Sequence, residues 1–271
     1  MIVQHNLRAM NSNRMLGLTQ ATQSKSTEKL SSGYKINRAA DDAAGLAISE
    51  KMRRQIRGLS QASLNAQDGI SMVQTAEGAL HEVHDMLQRM NELAVKAANG
   101  TNMTEDQSYI QKEVSALVSE IDRVAATTTF NDQQLLADNC TFKLQVGAES
   151  TSANQISVAI KKMDSAGLSV GNVSVASQSA ALAAIDTIKK GITALNEQRA
   201  DLGAQQNRLE HTVNNLDNVV ENTTAAEAQI RDTDMAAEMV KYSNNNILAQ
   251  AGQAMLAQAN QSNQGVLSLL Q

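Results

Sequence analysis

Residues 43–98 read AAGLAISEKMRRQIRGLSQASLNAQDGISMVQTAEGALHEVHDMLQRMNELAVKAA. Met52, Ile56, Leu59, Ala66, Ile70, Val73, Leu80, Leu87 and Ala94 recur through this stretch in steps of three, four or seven. That is the spacing of a coiled-coil seam, in which apolar side chains return to one face of a helix. Unbroken, the stretch makes a helix about 84 Å long at ~1.5 Å per residue. No single globular core has that length, so the spacing predicts a mainly α protein built as a long coiled-coil rod. Two further ladders supply partners. Ile110, Val114, Leu117, Ile121 and Val124 form one. Ile185, Ile188, Ile192, Leu195, Leu202, Leu209, Val213, Leu216, Val220 and Ile230 form the other.

The composition agrees. Pro is absent from all 271 residues, against an average usage of roughly 5%, and long helices require that absence. Aromatics are 2% and Trp is missing. The apolar share is Ala, Leu, Ile, Val and Met, the filling of helix seams rather than of an aromatic-anchored globule. The single Cys140 forbids an internal disulfide, so stability must come from packing. No apolar run reaches the ~20 residues that span a bilayer, and the start lacks the charged and apolar regions of a signal peptide. The expected location is the cytosol, or outside the cell by a route that needs no such signal.

The breaks in the helical pattern are readable. A first helix runs from near Ile2 through Val3, Leu7, Met10, Leu18 and Ala21 to Ser31-Ser32-Gly33. Asp41 or Asp42 is placed to cap the long helix. Asn99-Gly100 ends it, with Gly100 suited to a left-handed position, and Thr104 with Gln107 opens the next. Thr127 to Asp132 closes that helical half. Segments 142–146, 156–160 and 173–175 alternate with period two and predict short strands, making a small β-hairpin insert at about 139–177, at the tip of the rod. The helical ladder resumes at Gln178, and the two ends of the chain can lie side by side.

The final thirty residues, 242–271, carry no charge, and eleven of them are Asn or Gln. Leu248, Met255, Ala259, Val266 and Leu270 predict one apolar stripe, flanked by Ile247, Leu256 and Leu267, with a neutral amide face. A terminal helix without charges is one that other protein must surround. Charge is also unevenly divided. Residues 1–60 hold ten Lys or Arg against four Asp or Glu, whereas residues 201–271 hold three against eight. A basic head and an acidic tail attract each other, within one molecule or between neighbours.

Motifs for chemistry are sparse. His81 and His84 are separated by two residues, where a helical zinc pair needs three, so they read as solvated or seam-facing. No phosphate loop and no nucleophile elbow are present. Cys140 has no nearby His and reads as a small side chain. Lys51, Arg53, Arg54 and Arg57 form a basic cluster without the length or interleaved aromatics of a nucleic-acid surface, and so predict a solvated or inter-subunit face. These features predict no enzyme, no cofactor, no metal, no nucleic-acid partner and no membrane insertion.

The chain closely resembles bacterial flagellin. The resemblance rests on residues 30–49 (LSSGYKINRAADDAAGLAIS), 65–71 (NAQDGIS), 76–80 (AEGAL), 87–95 (LQRMNELAV) and 120–125 (EIDRVA) with Phe130-Asn131. In the second half it rests on residues 199–209 (RADLGAQQNRL), 226–236 (AEAQIRDTDMA) and 265–270 (GVLSLL). It covers about 1–138 and 178–271. It implies a filament subunit for motility, with a discontinuous coiled-coil domain of residues 1–42 plus 233–271 at the filament core and a helical rod of residues 43–232 in its wall. The insert is short, so the large outer domains of many relatives are missing. It further implies export unfolded through the flagellar type III pathway to the extracellular filament. Implied partners are identical subunits, an export chaperone, the filament cap and the hook-associated junction proteins.

Resemblance also implies recognition by Toll-like receptor 5 of a host, through Gln88, Arg89, Glu92, Leu93 and, on the next helix, Glu113. Asn91 and Lys96 depart from a common version of that motif, which has Arg and Gln there. The same residues would face a neighbouring subunit in a filament. Two other readings compete with the filament subunit. One is a hook-filament junction protein with similar ends, which would carry a larger middle region. The other is a metallopeptidase insert, against which residues 139–177 hold no His.

Overall fold

The structure, a computed structural model, describes residues 6–268, with side chains described to Ser262. The predicted start of the first helix at Ile2 and Val3, and Val266, Leu267 and Leu270 of the terminal stripe, lie outside that description. Among the described residues five α-helices carry the fold: α1 (Leu7–Ser32), α2 (Ala43–Ala97), α3 (Thr104–Thr127), α4 (Gln178–Arg231) and α5 (Met235–Ser268). Between α3 and α4 stand two hairpins, β1 (Thr129–Phe130) with β2 (Gln133–Gln134), and β3 (Cys140–Gln145) with β4 (Gln155–Ile160). The fold is mainly α with a small antiparallel insert. Internal contacts divide the chain into residues 1–54 with 221–271, and residues 55–220, cuts that fall inside α2 and α4.

In the unit of residues 55–220, α2 buries two columns in heptad register. Leu59, Ala66, Val73, Leu80, Leu87 and Ala94 form the column legible in the sequence, each 8% exposed or less. The second column is Ala62, Gly69, Ala76, Val83, Met90 and Ala97. Small side chains fill most of it, so a search for large apolar residues passes over it. On α4 the matching column is Ala181, Ile188, Leu195, Leu202, Leu209 and Leu216. A strict seven-residue repeat on a helix of 3.6 residues per turn imposes a left-handed supercoil. Ile110, Val114, Ile121 and Ala125 of α3 complete the core.

The insert lies along these helices, where the sequence reading places it at the tip. Ile156, Val158 and Ile160 alternate with exposed residues along β4, and that apolar face needs a surface to cover it. Gly69 provides a flat spot, since a Cβ there would run into Leu144 Cδ1. Asn65 Nδ2 donates to the Gln145 carbonyl at 3.0 Å, and Val146, Ile156 and Leu209 pack with Ala66. Gln198, 1% exposed on α4, fixes the other end: its Nε2 donates to the Ala159 carbonyl at 3.2 Å, and its Oε1 accepts from the Lys161 N–H at 3.4 Å.

Several local expectations are corrected. Residues 173–175 form no strand. The Gln111 side chain takes up their backbone groups instead, accepting from Val175 N–H at 2.6 Å and donating to the Val173 carbonyl at 3.4 Å. Cys140 opens β3 opposite Ile160. The β1–β2 hairpin, absent from the sequence reading, turns through Asn131 (φ 49°) and Asp132 (φ 60°), the left-handed pair that a two-residue hairpin loop demands. Gly100 has no positive φ, and α2 ends at Ala97 with the Asn102 and Gln107 side chains donating to the Lys96 and Ala97 carbonyls. Met103, not Thr104, is the N-cap of α3, and Asp106 accepts its N–H at 3.1 Å. Asp42 does cap α2, accepting the Gly45 N–H at 2.9 Å. Gly33 (φ 75°) closes α1 in the left-handed conformation, a position that costs any other residue its Cβ clearance.

Candidate assembly interface

In the unit of residues 1–54 and 221–271, α1 packs along α5. Both helices are apolar on the wrong side for a self-sufficient pair. The less exposed column of α1 is Ala9, Ser12, Leu16, Thr19, Gln23 and Ser26, and that of α5 is Glu238, Tyr242, Asn245, Ala249, Gly252, Leu256 and Ala259. Steps of three and four mark these as seam positions, yet most are small or polar. The large apolar side chains point elsewhere. Leu7, Met10 and Leu18 on α1 are 63%, 64% and 59% exposed, and Leu248 and Met255 on α5 are 57% and 63% exposed. Met15, Met235, Met239, Val240 and Ile247 are exposed as well. On α5 the exposed Met235, Met239, Val240 and Ile247 extend the apolar surface beyond the face of Leu248 and Met255, and a helix apolar on most sides is one that becomes buried. Leu248, Met255 and half-buried Ala259, seven and four residues apart, share one edge of α5 beside that seam. Leu248 and Met255 border a shallow groove with Asn11, Met15, Leu16 and Gly252.

Polar contacts set the register of the pair. Asn6 Oδ1 accepts the Ala9 N–H and its Nδ2 donates to the Ala259 carbonyl, both at 3.0 Å. Glu238, 6% exposed, is held below the usual carboxylate range, first by the Ser26 hydroxyl and then by Lys241 and Lys29, against the opposing effect of burial. The sequence asymmetry of basic head and acidic tail is expressed here, as Lys29 on α1 faces Glu238 on α5. Asp234 caps α5 by accepting the Ala236 and Ala237 N–H groups at 2.9 and 3.1 Å.

Arg53 of the basic cluster on α2 contributes to the same unit. The Arg231 and Arg53 guanidinium carbons stand 4.8 and 5.7 Å from the centroid of the Tyr34 ring. Arg231 pairs with Glu50 at 2.7 Å. Arg53 Nε lies 3.4 Å from Glu227, an ion pair without hydrogen-bond alignment. Lys35 N–H donates to the Arg231 carbonyl at 2.6 Å, and Thr233 N–H to that of Gly33 at 3.0 Å. These contacts clamp the α1–α2 and α4–α5 connections together. Lys51, Arg54 and Arg57 are exposed.

On residues 55–220 a second polar face stands across α2 and α3. Arg89 pairs with Glu113 at 2.9 Å and with Glu92 at 3.0 Å. Glu113 first, then Glu92, holds the guanidinium above its ordinary pKa. Gln88 meets His84 at 2.7 Å. Gln88, Arg89, Glu92 and Glu113 are exposed, whereas Leu93 is 3% exposed and packs in the core beneath them. His81 turns to Asp85 at 3.5 Å, so the two histidines face different partners. Among the described residues no group of three His, Cys, Asp or Glu is placed to hold a metal, and no helix is long and apolar enough to cross a membrane.

A terminal helix pair that seals a small, polar seam and turns its large apolar side chains outward defines a subunit of a helical assembly. Comparison with known proteins agrees. Residues 3–141 match the family described as the bacterial flagellin N-terminal helical region, and residues 185–270 match the bacterial flagellin C-terminal helical region. The chain is 54% identical over 271 residues to a flagellin of Halalkalibacterium halodurans, with all of each chain covered. It is 51% identical over 286 residues to the flagellar filament 31.3 kDa core protein of Treponema maltophilum, again with both chains fully covered. The crystal structure of Bacillus cereus flagellin is similar at a TM-score of 0.50 and 31% identity, over 56% of this chain and 88% of that one. The chain belongs to the bacterial flagellin family. It is a structural subunit of the flagellar filament.

Proposed function

We propose that this chain polymerises by burying the outward apolar residues of α1 and α5 against identical copies. Residues 1–42 with 233–271 then form the filament core and residues 43–232 the wall. The observation that carries this is the exposure of Leu7, Met10, Leu18, Leu248 and Met255 beside a seam of small and polar residues. Such faces are costly in water and become favourable once neighbours cover them. An uncharged tail avoids like-charge repulsion when many copies gather about one axis. The subunit leaves the cell unfolded through the flagellar type III pathway, held beforehand by an export chaperone, and meets the hook-associated junction proteins and the filament cap at the growing end. Deleting residues 242–271 should leave residues 55–220 folded, by circular dichroism, and abolish filaments in negative stain. Filaments from the truncated chain would overturn the reading.

The Arg89 face is the proposed docking surface for Toll-like receptor 5. Gln88, Arg89, Glu92 and Glu113 supply exposed charge and hydrogen-bonding groups, and Leu93 supports them from the core. Arg89→Ala should lower receptor signalling by the monomer while leaving its melting temperature nearly unchanged, because exposed ion pairs contribute only about 0–1 kcal/mol. Unchanged signalling would remove this part of the proposal.

A further inference from the structure

The outward face of the terminal helices is rich in methionine. Among the described residues, ten large apolar side chains are exposed on α1 and α5, and five of them are Met10, Met15, Met235, Met239 and Met255, at 46–64% exposure. Met72, Met90 and Met163, in the unit of residues 55–220, are 4% exposed or less. The exposed thioethers therefore concentrate where the proposed function needs apolar contact. A thioether is soft and fills irregular gaps, which suits a face that must fit several neighbours. It is also the apolar side chain most readily made polar, by oxidation to the sulfoxide.

We infer that Met10, Met15, Met235, Met239 and Met255 make assembly oxidation-sensitive: peroxide converts them to sulfoxides in the free subunit, and the oxidised subunit is excluded from the filament. The sulfur lone pair attacks one peroxide oxygen. The S–O bond forms as the O–O bond breaks, sulfur loses two electrons, and the second oxygen leaves as water. A thiol-dependent sulfoxide reductase reverses the step. Burying one such polar group without a partner weakens subunit addition by about tenfold or more. Once covered by neighbours, the same thioethers are shielded, so the sensitivity belongs to the free chain. This inference rests on the assembly reading above.

The test treats the full-length free chain with hydrogen peroxide and maps each methionine by mass spectrometry. The five residues should oxidise, together with Met103, which is 76% exposed outside the terminal helices, while Met72, Met90 and Met163 stay reduced. The critical concentration for polymerisation should then rise at least tenfold, helix content should be unchanged, and sulfoxide reductase should restore assembly. A variant with all five replaced by Leu should polymerise equally well before and after peroxide. Normal assembly of the five-fold oxidised chain overturns the inference, as does loss of assembly by the peroxide-treated Leu variant. If the untreated chain itself fails to polymerise, the assembly reading falls and takes the inference with it.

Discussion

Leu248→Asn isolates the contribution of one outward side chain. Leu248 is 57% exposed in the free chain, and its neighbour Ala249 is 8% exposed against α1. Full burial of a leucine side chain contributes about 1.5–3 kcal/mol relative to exposure. The share still available to assembly is 57% of that, or about 0.9–1.7 kcal/mol. Removing it should raise the critical concentration about five- to twentyfold. The free chain should barely notice, since exposed substitutions stay within about 0.5 kcal/mol. Pelleting of polymer across a concentration series gives the first quantity, and thermal melting followed by circular dichroism gives the second. Ala249→Leu is the converse: it overpacks the α1–α5 seam by about 1–3 kcal/mol and should disturb the free chain itself. An unchanged critical concentration in Leu248→Asn, or an equal loss of helix in the monomer, would refute the assignment of Leu248 to an inter-subunit face.

Glycines on α2 should respond with opposite signs. Gly78→Ala meets no atom within 4 Å and should stabilise by about 0.5–1 kcal/mol, whereas Gly69→Ala pushes into Leu144 and should cost about 1–3 kcal/mol, both read by thermal melting. Gln198→Ala leaves the Ala159 carbonyl and Lys161 N–H without their partner and should cost about 1–3 kcal/mol, with faster amide exchange in β4 as the local signature. Glu238 supplies a pH dependence. Its folded pKa is depressed, so its contribution is present above the ordinary carboxylate pKa of about 4.3 and is lost as pH falls through the folded value. Glu238→Gln should flatten the acid loss of α1–α5 pairing, followed by amide exchange in α1 between pH 5 and 3.

The helices were legible because helix formation is local. Heptad spacing from Leu59 to Ala94 and the pause at Gly33 need only nearby residues to express themselves. What escaped the sequence were features decided by distant groups. The column Ala62, Gly69 and Ala76 has meaning only against the leucines of α4 and the side chain of Leu144. The strand expected at 173–175 lost its ladder to Gln111, more than sixty residues earlier. Arg53 looked like one of four solvated cations until Tyr34 and Glu227 stood beside it.

The same division applies to the candidate interface. Sequence alone determined that the last thirty residues of the chain, 242–271, are uncharged and apolar enough to need cover. Arg89, Glu92 and Glu113 were grouped only by the resemblance to flagellin, because spacing relates Arg89 to Glu92 on one helix but says nothing of Glu113 on the next. Only the tertiary structure decided which face of α5 meets α1. It chose the small and polar column, because close approach of two backbones suits Ala249 and Gly252, and it left Leu248 and Met255 outside. Periodicity identifies a residue's angle around its own helix. It does not say which angle the partner helix occupies, and that choice separates a seam from an assembly face.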